Sequence, residues 1–343
     1  MKVIHFLIFF PSICLGCIYI LNKFDFKNKR WFFAFYFFSV FSILYSLIRH
    51  TSVIVFFFYL GVIFLLFDLL FFIFKKLNFR KIKELLNKLY FFGVTPLILA
   101  FIITAYGIYH ATHPVIDNYN LTISKELEDD LKIAFVSDIH LGTAVFEDSL
   151  DYLVKTVNEA DVDLFLLGGD IFDENTKEEL KEYAYQALGG VKTTYGTYYI
   201  EGNHDLITEK TKYGFTSNGI VVLEDNCLLI DDKFYLVGRR DFTDEERLPL
   251  EAVIRNIDTN YPVILLDHQP KDDLEASSKK IDLQLSGHTH DGQIFPFGCL
   301  LKRGVEKIED YELIVSSGYG AWGVPVRTQG DSEIVFVTLK GTR

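Results

Sequence analysis

An α/β layered domain behind an all-α region of four transmembrane helices is the fold this 343-residue chain predicts. Three observations carry that expectation. Phe, Ile and Leu crowd the first third, where four apolar stretches reach the roughly 20 residues that a bilayer crossing needs. Beyond residue 130, short β-rich apolar runs alternate with helical patterns, as they do when strands and helices form layers. Formal charge divides at the same place. Residues 1–113 carry 12 Lys/Arg against Asp25, Asp68 and Glu84, a balance of +9, whereas the remainder carries 22 basic and 43 acidic residues, a balance of −21.

The expected spans run near 3–22, 31–48, 52–74 and 90–109 within a membrane region of residues 1–113. Trp31, Tyr90, Tyr106 and Tyr109 lie at segment ends, where interfacial aromatic belts form. Lys23, Lys27, Lys29 and Arg30 follow the first span; Lys75, Lys76, Arg80, Lys81, Lys83 and Lys88 follow the third. Positively charged loops stay cytoplasmic, which places residues from about 114 onward outside the cytoplasm. Asp68, an acid inside a span, reads as facing a partner helix or reaching the interface rather than as an ion pathway. Four cysteines are too few and too scattered for a disulfide framework. Leu15-Gly16-Cys17 is near a lipoprotein cleavage site, but Cys14 stands where an aliphatic residue belongs, so Cys17 reads as a membrane-helix residue.

Residues 114–130 read as a linker, polar and without sustained period, and 131–343 as the folded domain. Strands are expected at Ile133–Val136, Leu164–Leu167, Thr197–Ile200, Phe234–Val237, Val263–Leu266, Leu283–Leu285, Leu313–Val315 and Ile334–Val337. Helices fit 147–160, 177–188 and 246–257. A charge of −21 repels a phosphate backbone, which disfavours nucleic acid as a partner.

All five histidines beyond position 113 fall in one ordered set of ligand-type motifs. The set runs Asp138-Ile139-His140, Gly169-Asp170-Ile171-Phe172-Asp173, Gly202-Asn203-His204-Asp205, Asp267-His268-Gln269 and Gly287-His288-Thr289-His290. Each motif starts just after an expected strand, and the carboxyl ends of strands form the ligand crevice of an open α/β sheet. Asp138 to Asp170 is 32 residues and Asp170 to Asn203 is 33, about one strand–helix–strand unit each. Imidazoles mixed with carboxylate and amide oxygens favour manganese, iron or zinc over magnesium, calcium or a thiolate site. A carboxylate after Gly169 has room to bridge two such ions, which clamp the attacking and leaving oxygens in displacement at phosphorus.

This ordered set resembles the calcineurin-like metallophosphoesterase family over about 230 residues, with every motif matched in order. The resemblance implies a layered αββα sandwich and two divalent metal ions. It implies that Asp138, His140 and His290 hold one ion, that Asn203, His268 and His288 hold the other, and that Asp170 bridges them. His204 would stabilise or protonate the leaving oxygen, oriented by Asp205. Asp267-His268-Gln269-Pro270, the run His288-Thr289-His290-Asp291-Gly292-Gln293, and Gly318-Tyr319-Gly320 with Pro325-Val326-Arg327 are similar to the membrane-associated YkuE-like branch. Asp291, where glycine is more usual, and Gly238-Arg239-Arg240-Asp241, in place of a more acidic stretch, depart from the pattern.

The expected function is therefore a membrane-anchored, metal-dependent phosphohydrolase, a phosphatase or phosphodiesterase, acting on a lipid or envelope-linked substrate. Its rivals are a pyrophosphatase of a nucleotide-linked acylated sugar and a non-catalytic metal-binding module. Arg239 and Arg240 are candidates for gripping a phosphate, although surface pairing is the simpler reading. Tyr319, Trp322 and Phe295 lie in or beside motif segments, where they could take an acyl chain or a sugar face or else serve as core. The oligomeric state is not legible.

Overall fold

The computed structural model describes residues 14–23, 29–49, 51–77, 79–90, 93–174, 176–205, 208–271, 273–298, 301 and 303–342. The chain divides into two compact units, Met1–Tyr109 with Val324–Thr328, and His110–Gly323 with Gln329–Arg343.

The first unit is helical. Helix α1 is described over 14–21, so most of the first expected span (3–22) lies outside the described residues. Helices α2 (Lys29–Arg49), α3 (Val53–Lys76), α4 (Arg80–Tyr90) and α5 (Val94–Thr112) follow. Among the described residues, α3 and α5 are long and apolar enough to cross a membrane, while α2 contributes a shorter apolar helical run, Phe35–Tyr45. The fourth expected span begins four residues late, because Gly93 takes a positive φ of 82° and α4 intervenes. Helix α4 was not expected. Its Ile82, Leu85, Leu86 and Leu89 recur at helical spacing among Lys81, Lys83 and Lys88, the pattern of an amphipathic helix. Asp68 is not solitary: it accepts a hydrogen bond from the Tyr19 hydroxyl at 2.6 Å and pairs with Lys23. Val324–Thr328 packs in this unit too, with Arg327 N–H donating to the Gly107 carbonyl at 2.8 Å.

The second unit is an αββα sandwich. Its strands are β1 (Val115–Thr122), β2 (Leu131–Val136), β3 (Leu164–Leu167), β4 (Thr197–Tyr199), β5 (Ile220–Val222), β6 (Asn226–Ile230), β7 (Phe234–Gly238), β8 (Val263–Leu266), β9 (Leu283–Ser286), β10 (Gly304–Ile308), β11 (Tyr311–Val315) and β12 (Glu333–Lys340). They form two six-stranded sheets, ordered β1-β12-β2-β3-β4-β5 and β10-β11-β9-β8-β7-β6. Alternation along β2 shows how the layers arise. Ile133 and Phe135 join Leu164, Leu166, Leu236, Ile264 and Leu285 in the core between the sheets. Ala134 and Val136 join the opposite core, with Leu150, Leu153 and Val157 of α6 (Glu147–Glu159) and Leu180 and Leu188 of α7 (Glu178–Gly189). A third core packs Leu250 and Val253 of α9 (Leu250–Val253) on the outer face of the second sheet.

Two expectations need correction. Residues 114–130 are not all linker, because β1 pairs in parallel with β12 from Val115↔Glu333 to Thr122↔Lys340. Its Asp117, Asn118 and Asn120 gave it a loop-like composition, yet an edge strand buries only alternate residues and tolerates polar ones on the other face. The expected helix 246–257 contracts to α9, which starts directly after Pro249. Helix α8 (Glu209–Ser217) was missed, although Thr208 caps it by accepting from the Thr211 N–H.

Candidate metal centre

β2, β3 and β4 run parallel and adjacent, as do β8 and β9. Their carboxyl ends therefore carry the Asp138, Asp170, Asn203, His268 and His288 segments toward one place. The two sheets meet there: both Asp138 oxygens accept the His288 N–H, at 3.1 and 2.9 Å.

Six of the seven expected ligands assemble in two clusters, Asp138–His140–His290 and Asp170–His268–His288. In the first, His140 Nε2 lies 3.0 Å from His290 Nε2, and His290 Nε2 lies 3.4 Å from Asp138 Oδ1. In the second, His268 Nε2 lies 3.2 Å from Asp170 Oδ2. The same Asp170 oxygen is 3.8 Å from His140 Nε2, so one carboxylate joins the clusters. Asn203 stands between Gly202 and His204, both against Asp170: the His204 N–H donates to Asp170 Oδ1 at 2.7 Å. A Cβ on Gly202 would come within 2.2 Å of that oxygen, and one on Gly287 within 2.2 Å of Asp138 Oδ2, so glycine is required at both places.

Backbone strain is concentrated here. Asp138, His140, Asp170, His288 and His290 all take positive φ, between 46° and 70°. Non-glycine residues avoid that region at a cost of about 1–2 kcal/mol each, and such outliers gather at functional sites. Gly169 also takes a positive φ, of 92°. The ligand residues themselves make several of the turns.

Neighbouring groups fix which ring nitrogen faces inward. His140 Nδ1 is 2.7 Å from Asp173 Oδ1, and His268 Nδ1 is 2.8 Å from the Gly168 carbonyl, so each Nδ1–H donates outward and each Nε2 is left for the centre. Two buried atoms, His268 Nε2 and Asn203 Oδ1, lack a well-aligned hydrogen-bond partner, the first lying 3.2 Å from Asp170 Oδ2. A buried imidazole nitrogen facing a carboxylate, and a buried amide oxygen next in sequence to residues that contact the same carboxylate, are the donors a borderline divalent cation takes. The residues fit the expected ions.

Proton affinities at the site follow from the same crowding. Burial works against protonation of His268, but Asp170 outweighs it and lifts the imidazole to about 10. The partner Asp170 is, against the effect of burial, held well below the usual carboxylate range by His268. His140 is likewise raised despite burial, chiefly by Asp173. His288 is lowered by burial and by the charge of His268.

His204 and Asp205 divide in a way that the sequence did not reveal. The His204 ring faces Glu174, with Nδ1 3.2 Å from Oε1, and packs edge-on to His140 at 5.4 Å between centroids. Asp205 does not orient that ring. Its two oxygens accept the Phe172 and Gly202 N–H groups, each at 3.0 Å, which ties the β3 loop to the β4 loop. Burial and the charge of Asp170 push its carboxyl up to about 6.

Arg239 is buried, bonded through Nε to Asp225 at 3.0 Å and through Nη2 to the Leu248 carbonyl at 2.6 Å. Arg240 pairs with Asp244 at 2.9 Å and with Glu224 at 3.6 Å. Both side chains are engaged by protein carboxylates in this structure. Sequence reasoning overlooked Arg247, which grips Asp267 bidentately at 3.0 and 2.6 Å beside His268. Asp291 is buried against Arg303, at 3.2 Å. Tyr319 belongs to the core, its hydroxyl donating to the Ser149 carbonyl at 2.6 Å, whereas Trp322 is 52% exposed.

Two imidazole–carboxylate clusters joined by a shared carboxylate, at the strand ends of an αββα sandwich, define a divalent-metal centre. Residues 131–292 match the family model described as calcineurin-like phosphoesterase. A metallophosphoesterase of Aquifex aeolicus is 34% identical over 232 residues, which cover 62% of this chain and 86% of that protein. With that agreement, the chain belongs to the calcineurin-like metallophosphoesterase family. A Helicobacter pylori metallophosphoesterase is 35% identical over 231 residues, 62% of this chain and 61% of that relative's length. A Danio rerio protein named as a transmembrane protein with metallophosphoesterase domain is 31% identical over 277 residues, 72% of this chain and 62% of that protein. The YkuE protein of Bacillus subtilis is 28% identical over 230 residues, 62% of this chain and 80% of YkuE.

Proposed function

We propose that the chain is a membrane-anchored phosphohydrolase that uses two divalent cations (manganese, iron or zinc) to cleave a phosphoester or phosphodiester of a lipid or envelope-linked substrate. The observation that carries the dinuclear reading is the reach of one oxygen: Asp170 Oδ2 lies 3.2 Å from His268 Nε2 and 3.8 Å from His140 Nε2. Asp138, His140 and His290 would hold one cation, Asn203, His268 and His288 the other, with Asp170 shared. When bound, the cations supply Lewis acidity that activates water and offsets charge on the phosphoryl oxygens.

The chain's own groups do the rest. Asp173 and the Gly168 carbonyl hold the His140 and His268 rings with Nε2 inward. Asp205 keeps the β3 and β4 loops in register through two backbone N–H groups. His204 hands a proton to the leaving oxygen from the ring nitrogen that does not face Glu174, an aid typically worth about 10²–10⁴-fold.

Membrane anchoring is supported by the length and apolarity of α3 and α5 and by the Danio rerio relative's description. The basic loops of the first third and the −21 balance beyond it support an extracytoplasmic domain that does not take nucleic acid. One experiment tests the substrate class: turnover of a phospholipid or lipid-linked sugar in micelles against that of its water-soluble headgroup. Preference for the lipid form supports the reading, and equal efficiency on both removes it. Protease added to intact cells (spheroplasts if an outer membrane intervenes) tests the sidedness. Digestion only after lysis would reverse the orientation.

A further inference from the structure

Trp322 is the exposed aromatic that the metal centre does not account for. A single apolar side chain at a surface needs no explanation by itself. This one is held on two sides by the centre. The Trp322 backbone N–H donates to Gln293 Oε1 at 2.8 Å, and Gln293 Nε2 donates back to the Trp322 carbonyl at 3.0 Å. Gln293 in turn donates its own N–H to the carbonyl of His290, a candidate ligand, at 2.9 Å. On the other side Gly320 N–H donates to the Asp138 carbonyl at 2.8 Å, and Ala321 is fully buried. The backbone that carries the indole is thus tied to both ligand loops of one cluster.

The indole also touches the reacting side. Its centroid is 5.5 Å from that of the His204 imidazole, with the planes tilted by 39°. A leaving group that takes its proton from His204 must pass beside that ring, and the half-exposed indole is the adjacent surface. Phe295 and Phe297, on the loop that carries Gln293, are exposed as well. Indole faces favour flat partners in offset stacking, whether a π-system or the C–H face of a sugar ring, over a bare phosphate or a short alkyl group.

We infer that Trp322 is a specificity residue, a platform on which a ring-bearing group of the phosphoester packs beside His204. This inference rests on the proposed phosphohydrolase function, and its test separates the two. Full-length protein loaded with Mn²⁺ is assayed on bis(p-nitrophenyl) phosphate, with phenyl phosphate, glucose 1-phosphate and ethyl phosphate as competing ligands. The wild type should bind one or both of the ring-bearing phosphates about tenfold more tightly than ethyl phosphate, as stacking at such a surface predicts. The aryl and glucosyl arms identify which kind of ring is preferred. In Trp322→Ala that gap should collapse to within about twofold, with KM for the chromogenic ester raised and kcat little changed, and Trp322→Phe should retain most of it. An undiminished gap in Trp322→Ala, or no gap in the wild type, overturns the platform. Absence of metal-dependent turnover in the wild type would count against the phosphohydrolase reading instead. The platform would then still be decided by quenching of Trp322 fluorescence with phenyl or glucosyl rather than ethyl phosphate, with Trp322→Phe as the blank.

Discussion

Asp170→Asn keeps the volume of the side chain and an oxygen for the His204 N–H, and removes one charge. Asp170 Oδ2 is 3.2 Å from His268 Nε2 and 3.8 Å from His140 Nε2. At an effective dielectric of about 20 these separations correspond to about 5 and 4 kcal/mol per unit charge. The raised His268 imidazole points the same way. An imidazole lifted from 6.5 to about 10 stabilises the metal-free fold by about 4 kcal/mol at pH 7. The two figures describe one interaction and are not added. A raised imidazole gives stability that is fully present below 6.5 and lost as pH rises through 10. The depressed carboxylate gives the other edge, with stability lost as pH falls below about 4. Thermal unfolding in chelator, followed by tryptophan fluorescence of the full chain in detergent, should place the variant about 8–16 °C below wild type near pH 6.5. That gap should close toward pH 10. With metal restored, turnover should fall together with occupancy of the second site. Equal midpoints at pH 6.5, or a gap that persists unchanged at pH 10, would refute the charge argument.

Three further outcomes follow from the same geometry. Gly202→Ala puts a Cβ 2.2 Å from Asp170 Oδ1 and 2.5 Å from its backbone nitrogen, so elemental analysis should find metal lost from a chain whose far-ultraviolet circular dichroism is retained. Because His268 and His140 are both raised, metal uptake at pH 7 should release protons and tighten with rising pH; calorimetry in two buffers of different ionisation enthalpy measures the number released. Burial pushes the Glu201 carboxyl up to about 7, so the metal-free wild type should lose stability as pH rises from about 4.5 through 7, by no more than about 3 kcal/mol. Glu201→Gln should show no such loss and be the more stable protein at pH 8 by thermal midpoint.

What the sequence made legible was whatever depends on residue type and spacing. Asp138, Asp170 and Asn203 sit 32 and 33 residues apart because one strand–helix–strand unit separates adjacent parallel strands, and the structure places them after β2, β3 and β4. Buried strands such as Leu164–Leu167 and Val263–Leu266 were read to the residue, since both of their faces are apolar. Edge strands were not: β1 and β10 bury few residues and resemble loops. Contacts made through the backbone were equally hidden. No pattern distinguishes an Asp205 that orients a ring from one that accepts two N–H groups, nor announces that His140 and Asp170 take positive φ. Arg239 and Arg240 illustrate the converse. Their type suits phosphate, but their partners Asp225 and Asp244 were visible only once the chain was folded.

The central claim is that two cations share the carboxylate of Asp170 and that hydrolysis depends on both. The most direct test is a titration of chelator-treated full-length protein with Mn²⁺, in which bound metal and bis(p-nitrophenyl) phosphate turnover are measured on the same samples. The expected result is a plateau at two ions per chain, with turnover appearing only as the second site fills and with Asp170→Asn binding at most one. Full turnover at one ion per chain, or undiminished turnover in metal-free Asp170→Asn, would contradict it.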